Sequence, residues 1–170
     1  MIDPRRDYDS DGRPLLVPLL HSHKPISLVI IALCVNDHKV QYGASPADLV
    51  RGIETLVLDV WRASNVGDHS GRPPAVLVLG PPMLVGNELN RSWGFEPDVE
   101  ERSKATIQLL EKVLPALSER SECSTKGPVH LLQLSHCAVV SAIDGIHFEA
   151  DQQPLITTAV ADAVRRILQA

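Results

Sequence analysis

Ser27-Leu28-Val29-Ile30-Ile31-Ala32-Leu33-Cys34-Val35-Asn36-Asp37-His38-Lys39 decides how the chain folds. The apolar run from Leu28 to Leu33 is short, rich in β-branched residues and free of polar alternation. That pattern predicts a strand buried on both faces of a parallel sheet, with the other elements packed against it. Asn36, Asp37 and His38 follow directly, at the carboxyl end of the strand, where open α/β sheets place their ligand sites.

Working outward, residues 1–13 are polar and read as an arm, and Pro14 opens a short helix whose length Pro18 limits. His21 and His23 then fall in a solvated loop rather than in a metal site, because no further ligands stand near them. Ser45-Pro46-Ala47-Asp48 combines a capping serine, a first-turn proline and an acid three residues after the cap. It predicts a helix to about residue 64, with Leu49, Ile53, Leu56, Val57 and Val60 on its buried face. Ala75 to Leu79 is a second buried strand, stopped by Gly80-Pro81-Pro82. The stretch from Met83 to Pro97 has no period and predicts a covering loop, in which Trp93 and Phe95 either line a pocket or anchor the loop. Asp98, Glu100 and Glu101 favour a helix start, Ile107, Leu110, Leu114 and Leu117 supply its apolar face, and Pro115 is expected to kink or end it. Val129 to Leu134 is a third strand, more edge-like because His130 and Gln133 interrupt it. A last helix runs from about Asp151 to Leu168, with Leu155, Ile156, Ala159, Val160, Ala163, Val164 and Ile167 on a broad apolar face. The order is β-α-β-α-β-α in a single domain over residues 1–170, and right-handed crossovers make the sheet parallel.

Composition narrows the function classes. The chain has 170 residues, is 44% hydrophobic and 22% charged, and carries a net charge of -5. It is a globular acidic chain with no basic cluster for nucleic acid. Cys34, Cys123 and Cys137 are widely spaced, without a C-x-x-C pair, so neither a disulfide framework nor a zinc site is predicted. No apolar run approaches a membrane span, and the amino terminus lacks the apolar core of a secretory signal, which points to the cytoplasm. No Gly-x-Gly-x-x-Gly or P-loop follows any strand, so a nucleotide-binding reading has little to stand on and no cofactor is implied.

Asn36 follows the first strand, and Asp144 and His147 follow the third, so all three belong to one edge of the sheet. An aspartate three residues before a histidine can hold one imidazole nitrogen and leave the other as a general base. An asparagine amide nearby can donate to a developing oxyanion.

Leu28 to Asp37 resembles the strand of the SGNH or GDSL hydrolases that ends in Gly-x-Asn-Asp, and Asp144-Gly145-Ile146-His147-Phe148 resembles their Asp-x-x-His block. The resemblance covers nearly the whole chain. It implies a three-layer αβα flavodoxin-like fold and a hydrolase of small carboxylic esters or acylated sugars. Asn36 would then be an oxyanion-hole residue, His147 the general base, Asp144 its partner and Asp37 mainly structural. Cys34 stands where the family has glycine and is expected to crowd the oxyanion site. The family's Gly-Asp-Ser nucleophile block has no counterpart here, so the resemblance implies a member without its first two strands and catalytically incomplete. Ser135, Ser141 and Cys34 fall near the carboxyl edge and are candidate replacements for the nucleophile. Loss of the neighbouring strand is expected to expose residues 28–33 as an apolar edge open to self-association. The alternative is a non-catalytic interaction module that keeps the fold.

Overall fold

The computed structural model describes residues 11–63, 65–119 and 127–169. Most of the expected amino-terminal arm, and Cys123, lie outside them. Among the described residues three strands, β1 (Leu28–Ala32), β2 (Ala75–Gly80) and β3 (Val129–Gln133), form one parallel sheet in the order β1-β2-β3. The register aligns Ile31 with Val78 and Val78 with Leu131.

The helices are α1 (Arg13–His23), α2 (Pro46–Arg62), α3 (Glu88–Arg91), α4 (Val99–Glu119) and α5 (Gln153–Gln169). Helix α2 starts where the sequence predicts: Ser45 Oγ accepts from the Asp48 N–H at 3.2 Å, and Asp48 accepts from the Ser45 N–H at 3.1 Å. This reciprocal cap satisfies two donors that a helix start otherwise leaves open. Its apolar face packs with α4 on one side of the sheet, in a core that includes Ile31, Val57, Val76, Val78, Leu110 and Leu114. Helix α5 lies on the other side, where Ala163 and Ile167 line a cavity together with Leu77 and Leu132 of the sheet.

Four expectations need correction. The organising strand is β2, not β1: Val76 and Val78 have no exposed surface, whereas Ile30 is 45% exposed. Strand β1 is therefore an edge with one covered face, because residue parity sends Val29 and Ile31 towards α2 and Ile30 away from it. Of the two outcomes expected at Pro115, a kink or an end, the end does not occur, and α4 continues to Glu119. Leu114 and Leu117, on either side of the proline, are both buried, and their packing outweighs the missing backbone bond. Pro18 likewise lies within α1, so His21 and His23 occupy its exposed last turn, where Ser22 and the Leu19 carbonyl meet the His23 ring. Finally, the apolar face of α5 is mostly uncovered, with Ala163 its buried residue and Leu155 and Leu168 exposed.

Candidate active site

The 141–149 loop is closed on itself by Ser141. The Ser141 N–H donates to the His147 carbonyl at 2.6 Å, and the Gly145 N–H donates to the Ser141 carbonyl at 2.8 Å. The Ser141 hydroxyl donates to Glu149 and accepts from the Ile143 N–H. Within this ring, one oxygen of Asp144 accepts from the N–H groups of Ile146 (2.8 Å) and His147 (2.9 Å), which is the local turn that aspartate favours. Its other oxygen accepts from His147 Nδ1 at 2.7 Å. The Asp-x-x-His spacing thus forms the pair that the sequence suggests. Burial acts to raise the pKa of Asp144, but the His147 N–H, the imidazole and the Ile146 N–H outweigh it and hold the carboxyl below its ordinary value. With Nδ1 donating to Asp144, Nε2 of an exposed ring is left as the acceptor.

Asn36 opens a tight turn over Asn36–His38, directly after β1. Its side chain is exposed and makes no hydrogen bond among the described residues. The turn is pinned from several sides. Asp37 accepts from the Cys34 N–H at 3.2 Å, the Cys34 carbonyl accepts from His38 Nδ1 at 2.8 Å, and Thr106 meets His38 Nε2 at 3.2 Å. Arg102 donates to the carbonyls of His38 and Ala44. Buried His38 therefore has both ring nitrogens engaged, and burial holds its pKa down.

Cys34 adopts φ +84°, a conformation suited to the glycine of the resembling block. Its side chain belongs to the main core, not to the site surface, so the cost of the replacement is backbone strain rather than crowding. Burial, and secondarily Asp37, push the thiol up to about 12.

A second apolar cluster brings the two halves of the site together. Leu84, Phe95, Val99 and Ile146 are buried in it, with Val35 and Trp93 packed against them. Val35 precedes Asn36 and Ile146 precedes His147, so both site residues leave the same apolar knot. Phe95 anchors the covering loop, while Trp93 stands edge-on to the His147 ring at 5.9 Å. Trp93 also packs against this cluster, so anchoring of the loop is the role that the contacts support for both aromatics. The residue that sequence reasoning missed is Asn90, in the same loop. A polar residue with no exposed surface, it lies in a short helix, α3, that no periodicity marks. The one available signal was the Asn87-x-x-Asn90 spacing of a reciprocal cap. Among the described residues there is no His, Cys, Asp and Glu grouping able to hold a metal ion, and no helix is long and apolar enough to cross a membrane.

No protein-family model matches the chain, and a comparison with curated proteins finds no match. Solved structures do match. A carbohydrate acetylesterase from Sinorhizobium meliloti is 28% identical, with a TM-score of 0.76 over 98% of this chain and 73% of that one. The M. smegmatis aryl esterase is 24% identical, with a TM-score of 0.78 over the same shares. A second S. meliloti protein, a carbohydrate acetylesterase family member, is 23% identical, with a TM-score of 0.81 over 99% of this chain and 74% of that one. The parallel α/β fold and these esterase neighbours fit the SGNH hydrolase domain, and the fold of this chain is that of a hydrolase of the SGNH type.

Proposed function

We propose that the chain carries the proton-transfer and oxyanion-binding part of an ester hydrolase acting on small carboxylic esters or acylated sugars. The observation that carries this reading is the 2.7 Å bond from His147 Nδ1 to Asp144, with Nε2 left unbonded among the described residues. In the reaction, Nε2 removes the proton from a serine hydroxyl as its oxygen attacks the ester carbonyl. The Asn36 amide donates to the resulting oxyanion, Asp144 stabilises the imidazolium, and the imidazolium protonates the departing alkoxide. Water then repeats the cycle on the acyl-enzyme.

We further propose that the described residues do not supply that serine. No serine hydroxyl or cysteine thiol among them hydrogen-bonds the His147 ring. Ser141 is buried and committed to Glu149, and the Cys34 thiol, pushed up to about 12, does not ionise near neutrality. The test is hydrolysis of p-nitrophenyl acetate by this chain and by a fusion that adds a Gly-Asp-Ser strand from an SGNH esterase. The reading expects no turnover above that of His147→Ala for the chain, and His147-dependent turnover for the fusion. Turnover by the fusion that survives His147→Ala overturns it.

A second reading, an interaction module pairing through β1, is favoured by a different observation. Among the described residues β1 pairs only with β2, and Ile30 and Leu33 are 45% and 53% exposed beside its open edge. Concentration-dependent sedimentation abolished by Ile30→Lys supports it, and a monomer at all concentrations refutes it.

A further inference from the structure

Asn90 takes no part in the chemistry above, yet its amide makes three hydrogen bonds beside the 141–149 loop. It has no exposed surface. Its Nδ2 donates to the carbonyls of Val85 and Asp144, each at 2.7 Å, and its Oδ1 accepts from the Asn87 N–H at 3.1 Å. Two neighbours extend the grip. Asn87 Nδ2 donates to the Ile143 carbonyl at 3.2 Å, and the Val85 N–H donates to the Gly145 carbonyl at 2.9 Å. The 85–90 turn therefore holds three successive carbonyls, those of Ile143, Asp144 and Gly145, and the middle one belongs to the residue that holds the imidazole.

We infer that Asn90 is the positioning residue of the Asp144–His147 pair, an inference that rests on the reading of that pair given above. The direction of a carboxylate follows from its own backbone. Asp144 is held by its carbonyl on one side, through Asn90, and by its carboxylate on the other, through Ile146, His147 and the imidazole. Without the Asn90 amide, the Val85 and Asp144 carbonyls lose a shared buried donor, and the loop must turn to reach water. The imidazole then loses its fixed partner. Trp93 lies three residues further along and touches the same ring, and its N–H donates to the Asn90 carbonyl. The base and its aromatic neighbour are therefore both tied to one residue.

The test is nitrogen-15 NMR of the His147 ring at neutral pH, which reads tautomer and needs no turnover. The intact chain is expected to carry the ring proton on Nδ1, as Asp144→Asn would not. Asn90→Ala is expected to give mixed tautomers and to speed exchange of the His147 amide by about tenfold, the effect of losing the one bond of the three that holds Asp144. Asn87→Ala, which removes the cap of the same turn but leaves the Asp144 carbonyl in place, is expected to keep the tautomer. An unchanged ring in Asn90→Ala overturns the inference, and so does an equal change in Asn87→Ala, which would mean general loosening. A proton on Nε2 in the intact chain instead removes the pair reading itself, and the inference falls with it. Should Asn90→Ala not fold, hydrogen exchange of the intact protein decides: the Asn90 side-chain protons are expected to exchange as slowly as the Val85 amide, and exchange at the rate of a free amide overturns the inference.

Discussion

A methyl group at Gly145 tests the close approach of the 85–90 turn to the 143–145 backbone. At φ +69° an L residue is strained by about 1–2 kcal/mol. A Cβ there would also lie 1.9 Å from the Val85 carbonyl oxygen and 3.0 Å from Asn90 Nδ2. Neither backbone has room, so the two loops must part. Parting them opens the Val85–Gly145 bond and the Asn90–Asp144 bond, worth together about 1–3 kcal/mol. The stiffer unfolded chain returns about 0.4–1 kcal/mol. Gly145→Ala is therefore expected to cost about 3 kcal/mol, or roughly 6–12 °C in Tm for a domain of this size. Gly43 provides the control, since it has φ +57° and nothing within 4 Å of its would-be Cβ. Gly43→Ala carries the same conformational terms without the collision and is expected to cost about 1 kcal/mol. Equilibrium urea unfolding of both variants measures the difference. Equal destabilisation by the two substitutions would refute the claim that the 85–90 turn presses on the 143–145 backbone.

Three further outcomes follow from buried groups. Gln133 is buried with neither amide atom hydrogen-bonded among the described residues, so Gln133→Met should raise stability by about 1–2 kcal/mol in the same urea assay. Cys34, buried and with its thiol pushed up to about 12, should resist a disulfide reagent at pH 8 until denaturant is added, as peptide mapping would show. His38 is held below its ordinary value of 6.5 by burial. As pH falls below that value the unfolded chain takes up a proton that the folded ring refuses, so stability declines. His38→Gln, compared by urea unfolding across that range, should show a shallower decline.

How much of this was legible depended on how local the cause was. The α2 start was readable because Ser45, Pro46 and Asp48 make their cap among themselves. The Asp144–His147 pair was readable for the same reason, as the turn that forms it closes within four residues. The two-faced burial read from the apolar run of β1 failed because such a run does not reveal which of its faces has a neighbour, whereas the exposed edge expected from the resemblance is what the described sheet has. Pro115 does not end α4 because its local penalty is outweighed by Leu114 and Leu117, whose partners are distant in sequence. Asn90 stayed hidden for the strongest version of that reason: its importance lies in a bond to a carbonyl 54 residues away.

The most direct measurement is labelling of the purified chain with a fluorophosphonate, with the adduct mapped by peptide mass and His147→Ala run alongside. The account predicts no His147-dependent adduct on any serine, since Ser141 is tied to Glu149 and no other hydroxyl among the described residues bonds the imidazole. A serine adduct that disappears in His147→Ala would contradict it, because the chain would then hold its own nucleophile.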